Sequence, residues 1–176
     1  GCLDKPTSGT YKLDGIDVRL LNDDKLAEIR NKKIGFVFQS FNLLSLATAV
    51  SNVELPLIYS GADNRHERAM EALGLVGIGS RSNHRPSEMS GGEQQRTAIA
   101  RALMNDPSVI IADEPTAHLD TDLAKDLLGI LSGLKEGGKT VLVASHDPLV
   151  FQSEMVDTVV RMRDGTIVET NRTGST

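Results

Sequence analysis

Two short apolar runs, SVIIAD (Ser108–Asp113) and TVLVAS (Thr140–Ser145), constrain the fold of this chain most. Between them, Asp120 to Leu134 repeats leucine at helical spacing, with Leu123, Leu127, Leu131 and Leu134 as the expected buried stripe. Strands with so few polar residues fit burial on both faces, which a parallel sheet covered by helices provides. The strand–helix–strand rhythm therefore predicts an α/β domain with a parallel sheet. Upstream, KIGFVFQ supplies another apolar strand, expected to end at Gln39. GTYKLDGIDVR reads as two short strands turning at Asp14-Gly15, and the segment after Met155 as a hairpin turning at Asp164-Gly165. Helices are expected over DDKLAEIRNK, NRHERAMEALGLVGI, EQQRTAIARALM and DPLVFQSEM. The apolar stretch from Phe41 to Gly61 predicts helix pieces interrupted at Pro56, and Ser80 to Met89 a loop.

Composition limits what such a domain does. A net charge of -5 over 176 residues argues against a nucleic acid as the main partner. No apolar run reaches the roughly eighteen residues of a membrane span, so a membrane role must come through a partner. The single cysteine, Cys2, excludes an internal disulfide framework and suits a reducing compartment. GCLD has no charged and apolar leader before it, so Gly1 reads as a cut edge rather than a lipidation site.

GLKEGGKT (Gly133–Thr140) spells the phosphate-binding pattern G-x-x-x-x-G-K-[ST]. A working loop of this kind follows a strand and opens a helix, whose free N–H groups face the phosphates. Here a helix ends in the match and a strand begins after it, so Gly137 and Gly138 read as helix-terminating residues. The match is a decoy.

Other stretches carry chemistry. In MSGGEQQR, Ser90 and Glu93 form an S-x-x-E capping box ahead of a helix. Gly91 and Gly92 would let an anion approach the helix amides, although an ordinary capped helix has the same letters. Asp113 and Glu114 close a buried strand, where ligands of α/β sheets gather. An acid there can hold Mg2+ and a neighbour can act as a base, or both can pair with lysines. His146 ends the next strand and is either a surface residue or a hydrogen-bond donor to a phosphoryl oxygen. Gln39 can offer its amide oxygen to a metal, and Asp120 precedes a helix as an N-cap.

Taken together these motifs resemble the nucleotide-binding subunit of ABC transporters over essentially the whole chain. Gln39 matches that family's Q-loop, SGGEQ its signature, VIIADE its Walker B strand, TAHLD its D-loop and His146 its H-loop. FVFQSFNLL and NVELPLIYSG are most similar to the branch serving lipoprotein release and macrolide export.

The resemblance implies a P-loop NTPase-like parallel sheet with an inserted helical subdomain. It divides the chain into a remnant of the β-subdomain and the strand to the Q-loop (1–38), the helical subdomain ending at the signature (39–90), and the signature helix with the C-terminal half of the core (91–176). It implies ATP and Mg2+ as cofactors, with Glu114 as general base and His146 on the γ-phosphate. Asp113 and Gln39 would flank the metal, Ser90, Gly91, Gly92 and Glu93 would meet ATP held by a second subunit, and Asp120 would couple the two sites. The partners implied are that second ATPase subunit, head to tail, and a membrane-spanning permease, with the chain at the cytoplasmic face of the membrane.

The family's Walker A motif would lie before Gly1, and roughly forty to fifty further residues would supply it. The expectation is therefore an N-terminally truncated ATPase subunit, inactive alone, with exposed sheet edges. Two alternatives stand beside it: a non-hydrolytic partner lending only its signature, and a non-functional fragment. A DNA-repair or chromosome-organising ATPase head is disfavoured, because no heptad run separates Gln39 from Ser90. Met89, where leucine is usual, and Ala117-His118 in the D-loop are small departures from the pattern.

Overall fold

The computed structural model describes residues 1–58, 63–117 and 119–172. His118 of the D-loop and Gly61, the end of the apolar stretch, lie outside the described residues. The chain opens with a small antiparallel pair, β1 (Lys12–Leu13) and β2 (Ile16–Asp17), whose turn has Asp14 and Gly15 at positive φ as the sequence predicts. Next come α1 (Asp23–Lys33), capped by Asn22, and β3 (Ile34–Val37). Then α2 (Ala49–Ile58), α3 (Arg65–Leu75) and α4 (Gly91–Leu103) form a helical unit. The rest alternates: β4 (Val109–Asp113), α5 (Thr121–Glu136), β5 (Thr140–Ala144), the short α6 (Pro148–Phe151), and the hairpin of β6 (Thr158–Arg163) and β7 (Thr166–Arg172).

The central sheet is parallel, in the order β3–β4–β5, with Val37 beside Ala112 and Ala112 beside Val143. Side chains alternate between its faces with the period of two that a strand imposes. Val37, Ile110 and Ala112 enter the main core with Ile99 of α4 and with Leu127 and Leu131 of α5. Ile34 joins a second cluster with Cys2, Val18 and Leu26, against which Phe36, Val109 and Ile111 pack. Gly35 permits the tight crossing of α4 over β3, since a Cβ there would lie 2.5 Å from the Ala102 carbonyl oxygen.

Local expectations change in four places. Pro56 does not interrupt α2; it lies inside the helix, two residues before its end, and α2 continues to Ile58 without the N–H that would have bonded the Asn52 carbonyl. Strand β3 stops at Val37, and Gln39 lies in the turn beyond it. The loop between Ser80 and Met89 includes 3-10 turns at Gly79–Arg81 and Pro86–Glu88. The buried stripe of α5 is Ala124, Leu127, Leu128 and Leu131, with Leu123 and Leu134 only partly covered.

The largest correction concerns β5. The sequence reads it as buried on both faces, yet it is an edge strand of its sheet, and Leu142 is 59% exposed. Helix α1 and the N-terminal segment cover that face only over β3 and β4. The terminal hairpin is exposed as well, with Met162, Ile167 and Val168 each more than half accessible. An exposed sheet edge, as expected, is thus present at β5.

Candidate functional site

Parallel strands deliver their C-terminal residues to one edge of the sheet, where α/β proteins bind ligands. Gln39 lies two residues beyond β3, Asp113 is the last residue of β4, and His146 lies two residues beyond β5. The register sets Asp113 directly beside Ala144, so the turns after β4 and β5 are neighbours.

Glu114 is the focus of that edge. Its backbone takes a left-handed conformation (φ 43°) and its N–H donates to the Ala144 carbonyl at 2.8 Å. Such a conformation is costly for a residue with a Cβ and persists only where the surroundings enforce it. The carboxylate accepts from Ser145 Oγ at 3.0 Å through one oxygen, and meets His146 Nδ1 at 2.7 Å and the His146 N–H at 3.2 Å through the other. Partial burial pulls the Glu114 pKa upward, but the hydrogen bonds from His146 and Ser145 outweigh it and hold the acid below its usual range. The same bond, with the attraction of the carboxylate, raises the His146 pKa. An imidazolium donates through both nitrogens, so this pairing favours a form whose Nε2–H is available to an anion. The two turns are laced further: Thr116, buried, donates to Asp147, and the Asp147 N–H donates to Ser145 Oγ.

Gln39 and Asp113 are exposed and have no side-chain partner among the described residues. One carboxylate and one amide oxygen at adjacent strand ends suit Mg2+, which keeps most of its water and takes few protein ligands. Among the described residues no denser cluster of metal-binding side chains occurs.

The signature stretch starts α4. Ser90 Oγ accepts from the Glu93 N–H at 3.3 Å, and the Glu93 carboxylate accepts from the Ser90 N–H at 2.8 Å. That backbone bond, aided by Arg81, keeps Glu93 ionised to lower pH than usual. Ser90 is exposed, but Gly92 is buried, and a Cβ on it would come within 3.0 Å of Leu123. Helix packing thus supplies a reason for this glycine that the letters alone do not. The contact brings the first turns of α4 and α5 together, and Asp120 caps α5 by accepting from the Leu123 N–H at 2.9 Å.

The structure therefore makes two groups of the sequence-selected residues. Gln39, Asp113, Glu114 and His146 share the strand-end edge, while Ser90, Gly91, Gly92, Glu93 and Asp120 gather at paired helix starts. Gln95, buried in α4, bridges them by donating to the Pro115 carbonyl at 3.0 Å. Lys139 belongs to neither group. It precedes β5 at the opposite end of the sheet and bonds Asp106 Oδ1 at 2.5 Å and the Pro107 carbonyl at 3.1 Å. Ser145, Thr116 and Arg101 escaped the sequence reading. Ser145 was signalled by its place beside His146 at a strand end, whereas no local pattern marks the partners of Arg101.

Comparison with known proteins gives the family. Residues 2–117 match the family model described as ABC transporter. An uncharacterized ABC transporter ATP-binding protein of Thermotoga maritima is 52% identical over 99% of this chain, which spans 74% of that protein. The macrolide export ATP-binding/permease protein MacB 1/2 of Paracoccus denitrificans is 49% identical over 99% of the chain, which spans about a quarter (26%) of it. Among solved structures, a dimeric post-hydrolysis state of the ATP-binding cassette MJ0796 bound to ADP and Pi superposes with a TM-score of 0.86 at 44% identity. It covers 97% of this chain and 76% of the other. Strand-end acids, a capped signature helix and this likeness lead to one conclusion: the chain belongs to the ABC transporter family, among its ATP-binding, ATP-hydrolysing proteins.

Proposed function

We propose that this chain is the nucleotide-binding part of an export or lipoprotein-release ABC transporter, with Glu114 as the base that activates water. The observation that carries the reading is the Glu114–His146 pair across two adjacent strand ends, beside Asp113 and Gln39. Glu114, kept ionised, accepts a proton from the water that attacks the γ-phosphoryl group of ATP. His146 donates from Nε2 to a phosphoryl oxygen as negative charge gathers there. Asp113 and the Gln39 amide would hold Mg2+, which supplies charge neutralisation on the phosphates when bound. Much of the acceleration in such reactions comes from positioning and charge stabilisation, so the bonds that fix the Glu114 and His146 turns matter as much as their acidity.

Ser90, Gly91 and Gly92 present helix amides to an anion, and Glu93 steadies them. The dimeric cassette supports a second subunit; arranged head to tail in this reading, the face would meet ATP held by that subunit, with Asp120 between the two sites. The permease named with the ATP-binding part in the MacB relatives supports a membrane-spanning partner, which this reading sets at the segment after Gln39, with the chain peripheral at the membrane. Among the described residues no helix is long and apolar enough to cross a membrane itself. Residues 1–38, 39–90 and 91–176 act in this reading as sheet base, partner-facing helical unit and signature-bearing core.

These 176 residues alone are proposed to be inactive, because the one stretch with P-loop letters runs from α5 into β5 and its lysine serves Asp106. The test is MgATP turnover by the chain alone and by the chain preceded by a family strand–GxxxxGK[ST]–helix. The extended form is expected to turn over, and Glu114→Gln to lower its kcat by about a hundredfold or more. Full turnover by the Gln variant would remove Glu114 from its role. Glu114-dependent turnover by the 176 residues alone would refute their inactivity.

A further inference from the structure

Arg101 stands in the last turn of α4, where a cation usually serves the helix's own carbonyls. Its guanidinium instead donates Nη1–H to the Asn42 carbonyl at 2.5 Å and Nη2–H to the Phe41 carbonyl at 2.7 Å. These are consecutive carbonyls of the loop that follows Gln39. Phe41 and Asn42 both take left-handed backbone angles (φ 58° and 49°), a conformation that asparagine visits readily but that costs free energy for the bulky Phe41. Burial lowers the Arg101 pKa, and among the described residues no carboxylate accompanies the guanidinium. The two carbonyls are its compensation for leaving water.

The other end of the same loop is gripped from α2. Asn52, fully buried, bonds the Leu44 backbone in both directions and the carbonyls of Ala47 and Thr48. At the far end of α4, Gly92 rests on Leu123, and Gln95 holds the turn after Glu114. One helix thus contacts the loop after Gln39 and the turn after Glu114, with Ser90 at its start. Arg101 lies ten residues from Gly91, about 15 Å along a helix.

We propose that Arg101 is a positioning residue that couples the orientation of α4, and with it Ser90, to the placement of Gln39. The proposal rests on the reading of Ser90 and Gln39 given above. The fork is what counts: two parallel N–H donors fix two carbonyls, which a lysine's point charge does not reproduce.

Hydrogen–deuterium exchange of the 176-residue chain tests this without nucleotide. Arg101→Ala is expected to speed exchange of residues 40–44 about tenfold, from loss of two charge-assisted bonds, with β4 unchanged. Arg101→Lys is expected to match Arg101→Ala. Ser90→Ala, which loosens the start of α4, is expected to speed the same loop about threefold in the parent and not further in Arg101→Ala. Parental protection in Arg101→Lys would show that charge alone suffices and overturn the proposal. So would a loop indifferent to Ser90→Ala, or faster exchange spread evenly over the molecule. If Arg101→Ala does not fold, the Arg101→Lys and Ser90→Ala results decide. Loss of coupling beside intact Glu114-dependent turnover of the extended form sinks this inference alone, whereas intact coupling with no Glu114-dependent turnover of the extended form sinks the functional reading alone.

Discussion

At the N-terminal end of the sheet Lys139, 20% exposed, reaches Asp106, 86% exposed; at the C-terminal end Glu114, 23% exposed, meets His146, 87% exposed. Both pairs join one partly covered group to one in water, at hydrogen-bond distance, next to the same strands. They differ in chemistry. A lysine keeps its charge through the physiological range, so the first pair is fixed and can only tie chain to chain. A histidine beside a carboxylate changes charge near neutrality, and Glu114 is held in a strained turn besides. The contrast teaches that an ion pair's exposure and length do not reveal its use, whereas its titration and its end of the sheet do.

The largest expected effect separates the two ends by turnover. In the chain extended by a strand–GxxxxGK[ST]–helix, His146→Ala should lower kcat about a hundredfold, as loss of a donor to developing charge does. Lys139→Met in the same assay should leave kcat within about twofold, because a surface pair far from the chemistry contributes little. A collapse of turnover in Lys139→Met would revive Gly133–Thr140 as a phosphate loop and break the comparison.

That comparison also shows what could be read from letters. The direction of Gly133–Thr140, helix into strand, was legible because glycine and lysine take meaning from the elements around them. So was the shared edge of Asp113, Glu114 and His146, since apolar runs mark strands, although only Asp113 is the last residue of its strand and Glu114 and His146 lie one and two residues beyond theirs. The exposure of Leu142 was not, because an apolar strand reads alike at the edge and the centre of a sheet; its neighbours decide. Gly92 is similar: two glycines in a first turn announce close approach, but not whether to an anion or to Leu123. Arg101 lay furthest from sight, its carbonyl partners being some sixty residues upstream.

A second test sharpens the contrast through pH. His146, followed by NMR, is expected to titrate above the ordinary histidine value of about 6.5, and to return toward it in Glu114→Gln. The sign for stability follows. The pair's contribution through His146 is whole below the unfolded histidine pKa and fades as pH rises through the raised folded value. Through Glu114 it is present above the unfolded glutamate pKa and fades as pH falls through the lowered folded value. The link between the turns after β4 and β5 is therefore firmest in mildly acidic solution. An unchanged His146 titration in Glu114→Gln would mean that the bond is not held in solution.

The smallest effect lies at the other end. Asp106 is held below the usual aspartate range by its bond to Lys139, so this pair adds stability above about pH 3.9 that is lost as pH falls through the lowered folded value. Near neutrality Asp106 stays ionised, and its contribution is flat. Asp106 stands almost wholly in water, so solvent screening keeps the pair small, about 0.5 kcal/mol. Lys139→Met should lower stability in urea by that amount at pH 7 and lose its effect in acid, while the His146 titration stays where it was. A shift of His146 in Lys139→Met would show that the two ends communicate through β5, and the division between a structural end and a chemical end would have to be given up.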